Sequence, residues 1–324
     1  MRKFVAAAML AALPLAGLAT AAHAADWPAK PLTLIVPFGP GSSPDTMSRV
    51  IAEQASATLG QPIVVQNKPG ASGNLGTAAI AKAAPDGYTF GVSITGPMVN
   101  NTVLYSDLPY DPKKDLDPLT LGVHQHNVLV VPGNSPIKSF DDLLKAMKSQ
   151  SKPYNFPSTG AGTVSHLSVE LLLERTGGKA VHVPYASSPA AVTSLLSGDT
   201  DFAALPPIAV MPMIKDGRLR ALAVVSKERL SFLPDTPTIE ELGIPGIEGS
   251  GWIGFVAPAG IPADIKKKLA DALAGAINTP TVQERLRTQF MEPAATTPEA
   301  FGQYMDEELQ RWGPLIKRLN LSVN

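Results

Sequence analysis

Two loops rich in glycine and hydroxyl side chains constrain the fold of this chain more than any other feature. Each follows an apolar run of strand length, at 32–36 and at 63–66, and precedes a segment with apolar residues at helical spacing. A strand-to-helix loop leaves backbone N–H groups without partners at the helix N-terminus, where the helix dipole adds partial positive charge. Residues 37–45 and 67–76 therefore predict two anion-sized backbone cradles, with an ordinary capped turn as the alternative for the first.

Strand-like and helical segments alternate along most of the chain, which predicts an α/β fold with mixed, mostly parallel sheets. The two glycine-rich loops then open at the same sheet edge, where open α/β sheets bind ligands. A third glycine-rich loop, at 159–166, follows a strand predicted at 154–158. The sequence thus places loops of similar chemistry in both halves of the chain.

The length of the chain suits two domains joined by two crossings. We expect the first crossing near 123–127 and the return in the apolar run 252–258. The predicted first domain comprises 25–123 and 253–324, and the predicted second domain comprises 124–252. Such a chain forms a hinged clamshell.

Residues 1–24 have the pattern of a signal peptide. Arg2 and Lys3 precede an apolar, alanine-rich run, and Ala22-His23-Ala24 fits a cleavage site. The run is too short for a membrane span. We therefore expect a mature chain that begins at Ala25, is exported to a bacterial periplasm and is soluble there.

Composition excludes several classes of function. Removal of Arg2 and Lys3 leaves 25 basic against 28 acidic residues, a net charge of −3, which argues against nucleic-acid binding and against a polybasic membrane contact. The chain has no cysteine, so disulfides, thiolate metal ligands and cysteine nucleophiles are excluded.

Motifs for catalysis are lacking as well. The loop at 160–165 misses the third glycine of the dinucleotide-binding fingerprint, and no Gly-x-Ser-x-Gly elbow occurs. His124 and His126 could share a strand face and bind a metal, with surface or hinge polarity as the alternative. His182 is predicted to be a hydrogen-bonded structural histidine. Backbone cradles and hydroxyl groups favour binding without reaction, so we expect no catalytic residue, metal or cofactor.

Short motifs in a fixed order give a more specific indication. They are Trp-Pro-Ala-Lys-Pro (27–31), Val-Pro-Phe (36–38), Asn-Lys-Pro-Gly-Ala (67–71), Ala-Pro-Asp-Gly-Tyr-Thr (84–89), Leu-Pro-Tyr-Asp-Pro (108–112), Ser-His (165–166), His-Val-Pro-Tyr (182–185), Leu-Arg-Ala-Leu-Ala-Val (219–224) and Ala-Pro-Ala-Gly (257–260). Together they span nearly the whole mature chain. In this order the chain resembles the periplasmic substrate-binding proteins of tripartite tricarboxylate transporters, the Bug family.

The resemblance implies a type II periplasmic-binding-protein clamshell, also called a Venus flytrap. It implies a monomer that delivers a small organic carboxylate to the membrane permease subunits of such a transporter. A periplasmic sensor that passes its closed form to a signalling partner, and an enzyme, remain as alternatives.

The resemblance also implies ligand-binding positions. In the first domain they are Gly41, Ser42, Ser43, Pro44, Asp45, Ala71, Ser72, Gly73 and Asn74, and Thr95 could donate from the end of a neighbouring strand. In the second domain they are Thr159, Gly162, Thr163, Ser165, Tyr185 and Ala186, with Leu205 and Pro206 against the uncharged body of the ligand. Many family members have an aspartate near Leu205, where it can meet a ligand ammonium. A dicarboxylate, tricarboxylate or aromatic acid is therefore expected in preference to an amino acid.

Overall fold

The computed structural model describes residues 27–149, 153–247 and 249–323. The predicted signal peptide and the predicted mature N-terminus at Ala25 lie outside these ranges. The strands are β1 (Leu32–Val36), β2 (Ile63–Asn67), β3 (Thr89–Ile94), β4 (Leu116–Pro132), β5 (Tyr154–Ser158), β6 (Ala180–Pro184), β7 (Ala203–Leu205), β8 (Leu219–Val225), β9 (Ser250–Pro258) and β10 (Glu292–Pro293).

The α-helices are α1 (Ser43–Leu59), α2 (Asn74–Ala81), α3 (Asn101–Leu104), α4 (Pro112–Asp115), α5 (Phe140–Ser149), α6 (Val164–Thr176), α7 (Ser188–Ser197), α8 (Pro207–Lys215), α9 (Ala263–Ile277), α10 (Pro280–Thr288) and α11 (Pro298–Arg318). A 3-10 turn at Ala71–Gly73 precedes α2, and a π-helical turn at Gly96–Asn100 precedes α3. Within the described ranges, no helix has both the length and the apolar composition needed to cross a bilayer.

The strands form mixed sheets in which β4 has the central place. One sheet has the order β10-β4-β9-β3-β1-β2, with β1 parallel to β2 and β3 and with β9 antiparallel to β3 and β4. Beyond this sheet, residues 127–132 of β4 pair antiparallel with β8, and residues 128–130 pair antiparallel with β7. β5 and β6 form a parallel pair. We call the segments before β4 and after β9 the first lobe, and the segment between them the second lobe.

The α/β fold with mixed sheets is confirmed. The places where the chain passes between the two predicted domains differ in detail from the prediction. β4 is one continuous strand of 17 residues. The predicted crossing near 123–127 therefore lies inside β4, and the return lies inside β9. Among the described strands, every antiparallel pair involves β4 or β9. Because both strands run between the lobes without a break, the division at 123/124 and 252/253 stays a prediction.

Local sequence explains where α1 begins and ends. Ser42 has the extended backbone of an N-cap, and Pro44 lies in the first turn, where a missing N–H is tolerated. Gly60 ends the helix in the left-handed conformation (φ 73°), which glycine adopts without a Cβ clash. Ile51 is fully buried in the same apolar core as β1 and β3. This packing fixes the N-terminus of α1 at the edge of the sheet.

Candidate ligand-binding site

Two adjoining cavities lie between the lobes. The central cavity, of about 60 Å³, is lined by Phe38, Ser42, Ser43, Pro44, Ile94, Thr95, Gln125, Asn127, Thr159, Thr163, Val164, Ser165, Ser188, Pro206, Gly251, Trp252 and Ile253. The outer cavity, of about 240 Å³, is lined by Pro37, Phe38, Gly70, Ala71, Ser72, Gly73, Thr159, Gly160, Pro184, Tyr185 and Ala186. Phe38 and Thr159 line both, so the two cavities meet at these side chains.

The N-terminus of α1 forms the first-lobe wall of the central cavity. The Ser42 hydroxyl donates to the carbonyl of Gly39 at 2.7 Å and does not cap the helix. The Ser43 hydroxyl is buried and finds no hydrogen-bond partner among the described residues. The first-turn N–H groups of a helix have no intrahelical partners, and this end of α1 carries the positive end of its dipole. The wall is therefore suited to an anion with oxygen acceptors.

Asp45 shapes this wall without lining it. Its carboxylate accepts from the N–H of Gly41 at 3.0 Å, from the amide of Asn67 at 2.9 Å and from Arg49, which lies at 2.9 Å. Burial raises the pKa of Asp45, but these hydrogen bonds outweigh it and hold the pKa below its usual range. The charged carboxylate of Asp45 thus holds the loop before α1 in place.

The N-terminus of α6 forms the second-lobe wall. Thr163 has the extended backbone of an N-cap, but its hydroxyl donates to the carbonyl of Gly160 at 2.6 Å. The Ser165 hydroxyl lies 2.9 Å from that of Thr163 and 3.0 Å from that of Thr159, and it accepts from the N–H of Thr159 at 3.1 Å. Two helix N-termini from different lobes therefore line one cavity.

The floor of the central cavity comes from the strands that join the lobes. Gln125 and Asn127 project from β4, and Gly251 and Trp252 belong to β9. Thr95, at the end of β3, accepts from the N–H of Trp252 at 3.3 Å, so its hydroxyl hydrogen is available to a ligand. Thr95 was among the residues predicted from the sequence, but the β4 and β9 positions were not. The polar run 124–127 inside an otherwise apolar strand was the signal that could have revealed them.

The central cavity combines apolar side chains with uncharged polar groups. Its lining includes neither an acidic nor a basic side chain, and its donors are hydroxyl, amide and backbone groups. Hydrogen bonds from such donors to a carboxylate are charge-assisted and strong in a desolvated site. An ammonium group would find no carboxylate partner in this lining.

The outer cavity is shaped by an unusual backbone. Gly70, Ala71, Ser72 and Gly73 all have positive φ, at 136°, 46°, 57° and 95°. For Ala71 and Ser72, the left-handed conformation costs roughly 1–2 kcal/mol per residue, and such strain is concentrated at ligand sites. A Cβ at Gly73 would lie 2.9 Å from Phe38 and 3.0 Å from Pro97, so the loop can take this path only with glycine.

The lobes touch on both sides of the cavities. The Asn100 amide donates to the carbonyl of Gly162 at 2.7 Å, and both groups are buried. A Cβ at Gly160 would lie 2.7 Å from Ser72, and a Cβ at Gly39 would lie 3.4 Å from Ser187. The two lobes are therefore closed on each other in this structure. The contact between Gly160 and Ser72 is possible because glycine has no side chain.

The predicted residues divide into three groups. The central cavity is lined by Ser42, Ser43, Pro44, Thr95, Thr159, Thr163 and Ser165. The outer cavity is lined by Ala71, Ser72, Gly73, Tyr185 and Ala186, and also by Thr159. Neither cavity is lined by Gly41, Asp45, Asn74, Gly162 or Leu205.

The residues of this last group have other contacts. Asn74 accepts from the Asn101 amide at 2.6 Å and from the Tyr110 hydroxyl at 3.1 Å. The N–H of Gly162 donates to His166 at 3.1 Å. Leu205 is fully buried in the second lobe, and the next residue, Pro206, lines the central cavity instead.

The histidines have structural environments. His182 lies 2.6 Å from the Ser158 hydroxyl and stacks on His166 with ring centroids 3.9 Å apart, as expected for a structural histidine. Burial, and then the charge of His166, lowers the pKa of His182 to about 3. His126 lies 3.9 Å from Glu292, and among the described residues no group of three or more histidine and acidic side chains could hold a metal.

A further cavity, of about 420 Å³, lies on the other face of β4, and we call it the rear crevice. It is lined by His124, His126, Ser226, Lys227, Glu228, Arg229, Leu230, Ser250, Glu292, Tyr304 and Arg311. Its lining mixes acids and bases, and Arg229 is already bound to Glu241 at 2.8 Å. No helix N-terminus belongs to this lining, in contrast to the central cavity.

Comparison with known proteins supports a receptor. Protein BugT of Bordetella pertussis is 36% identical over 305 residues, 93% of this chain and 93% of that protein. The structure of R. palustris Rpa4515 with adipate has a TM-score of 0.88 at 31% identity, covering 91% of this chain and 99% of that one. MatC (Rpa3494) from Rhodopseudomonas palustris with bound malate has a TM-score of 0.85 at 30% identity, covering 90% of this chain and 100% of that one.

These relatives confirm the two-domain α/β fold and a binding protein rather than an enzyme. The sequence profile described as the tripartite tricarboxylate transporter family receptor matches residues 47–321. This chain therefore belongs to the receptor family of the tripartite tricarboxylate transporters, which includes the Bug proteins.

Proposed function

We propose that this protein is a periplasmic receptor that binds a small organic carboxylate between its lobes and delivers it to the membrane permease of a tripartite tricarboxylate transporter. The observation that carries the proposal is the convergence of the N-termini of α1 and α6 on one uncharged cavity. Both helix ends favour negative charge. A carboxylate between them contacts both lobes at once.

The cavities also support a class of ligand. The carboxylate lies in the central cavity, and the body of the ligand extends past Phe38 and Thr159 into the outer cavity. Pro206 lies where an acid could otherwise bind an ammonium group. A dicarboxylate, a tricarboxylate or an aromatic acid fits this lining better than an amino acid. Adipate and malate, bound by the relatives Rpa4515 and MatC, belong to the same chemical class.

Ligand-driven closure is the mechanism that this geometry supports. We expect the open form to predominate without ligand, with β4 near 123–127 and β9 near 251–255 as the hinge. A ligand of about micromolar affinity contributes roughly 8 kcal/mol, which exceeds a closure cost of a few kcal/mol. Closure lets the permease distinguish loaded from empty receptor.

The proposed receptor is a monomer that acts after removal of residues 1–24. Its first domain comprises 25–123 and 253–324, and its second domain comprises 124–252.

A thermal-shift screen of the mature protein tests ligand class. Succinate and aspartate form a matched pair, as do glutarate and glutamate, because the members of each pair differ only by an amino group. We expect a rise in melting temperature with carboxylates that lack the amino group. A shift with the amino acids alone would contradict the proposed ligand class.

Uptake by the source organism tests delivery. Deleting the gene while keeping the permease genes should abolish uptake of the radiolabelled acid found in the screen. Intact uptake, with loss of a transcriptional response to that acid, would favour the sensor alternative and refute transport.

A further inference from the structure

We propose that Gln125 is a ligand-binding residue that requires a second oxygen acceptor on the carboxylate ligand, an inference that rests on the proposed function. Gln125 lines the central cavity, and its amide Nε2 is buried and finds no hydrogen-bond partner among the described residues. Only 7% of the residue is exposed. Buried amide donors are nearly always hydrogen-bonded, because an unpaired one is unfavourable.

The surroundings of Gln125 leave the ligand as the partner for this donor. Its partner across the β4–β9 ladder is Gly251, which has no side chain. Val123 and Val128, on the same strand, are fully buried apolar residues, so an apolar side chain would suit the site better if packing were the only demand. The lining supplies no charged group to pair with the amide.

A second unpaired donor, on a different structural element, lies in the same cavity. The Ser43 hydroxyl, 1% exposed, also has no partner among the described residues and belongs to the N-terminus of α1. The carboxylate at this helix end accepts from Ser43. Gln125 belongs to the floor strand instead, and we assign to it a different oxygen of the ligand: a hydroxyl, a carbonyl or a second carboxylate.

The position of Gln125 also connects the ligand to the crossing strand. Residue 126 is the last β4 position paired with β9, and residue 127 is the first paired with β8. A hydrogen bond from Gln125 to the ligand therefore acts at the point where β4 passes from one lobe to the other. Gln125 thus selects the ligand and joins it to the strand that links the lobes.

The test combines three pairs of acids with Gln125→Met, which keeps the length of the side chain but removes the donor. The pairs are pentanoate and glutarate, succinate and malate, and benzoate and terephthalate; the second member of each has the additional oxygen acceptor. We expect wild type to prefer the second member of at least one pair by roughly 10- to 100-fold in Kd, the range expected for a hydrogen bond with a charged partner. Gln125→Met should abolish that preference. Gln66→Met, at an exposed position on β2, is the matched control and should keep it.

A second readout separates a ligand role from a structural one. Because Gln125→Met removes an unpaired buried donor, its melting temperature without ligand should equal or exceed that of wild type. A lower melting temperature together with unchanged affinities would show that Gln125 is structural and would overturn the inference. If wild type binds carboxylates but shows no preference within any pair, the inference also fails, while the proposed function stands. If wild type binds none of the six acids and no other carboxylate raises its melting temperature in the thermal-shift screen, the proposed function itself fails.

Discussion

Replacing Gly162 with alanine should weaken ligand binding, because the added methyl group enters the contact between the lobes. The Cβ would lie 2.0 Å from Oδ1 of Asn101 and 2.7 Å from Cδ1 of Leu104. Both of these residues are buried, at 0% and 2% exposure, so they have little room to move away. Overpacking of this kind costs about 1–3 kcal/mol, and only the closed form has the contact.

The expected effect on affinity follows from that free energy. At about 1.4 kcal/mol for each tenfold change, closure becomes about 5- to 150-fold less favourable, and the Kd rises by the same factor. Gly162 also has a left-handed φ of 77°, which alanine tolerates poorly in either form. Gly198→Ala controls for this strain, since Gly198 has a φ of 83° and nothing lies within 4 Å of its Cβ.

Isothermal titration calorimetry with the acid found in the screen measures the difference. Both variants should melt at lower temperature than wild type, but only Gly162→Ala should bind the acid more weakly. Equal affinities in the two variants would refute the idea that the closed contact at Gly162 is needed for binding.

Three further predictions concern the first lobe and the N-terminus. Gly73→Val should abolish detectable binding, because its Cβ would lie 2.9 Å from Phe38 and its φ is 95°; intact affinity by calorimetry would contradict the role of this loop. Because the pKa of Asp45 is lowered by folding from the usual 3.8, its ionised form stabilises the protein above about pH 4, and this contribution is lost as pH falls through the folded-state pKa. The difference in unfolding free energy between wild type and Asp45→Asn, measured with urea, should therefore shrink on acidification, and a difference that grows would be inconsistent with this sign. Mass spectrometry of periplasmic protein should find Ala25 at the N-terminus, and a start more than a few residues away would disagree.

The wall residues of the site could be predicted from sequence because their signals are local. Glycine and hydroxyl residues between a strand and a helix indicate a loop at the helix N-terminus, and Ser43, Ser72 and Thr163 all line the cavities in this way. Of the two residues expected against the body of the ligand, Leu205 and Pro206, only Pro206 lines a cavity. β7 turns the Leu205 side chain into the core, and Pro206, just beyond the strand, reaches the cavity.

The floor could not be predicted in the same way, because it depends on pairing between distant segments. Gln125 meets Gly251 through the β4–β9 ladder, and no local pattern reports that register. From the sequence, a crossing between domains was predicted near 123–127, and the structure has one continuous strand there. The crossing and the floor turn out to be the same residues of β4.

A crystal structure of the protein with the acid identified by the screen would show where the ligand binds. We expect a carboxylate between the N-termini of α1 and α6, within hydrogen-bond distance of the Ser43 hydroxyl and of groups at Thr163 or Ser165. A ligand bound instead in the rear crevice, beside His124 and Arg229, would refute binding between the lobes.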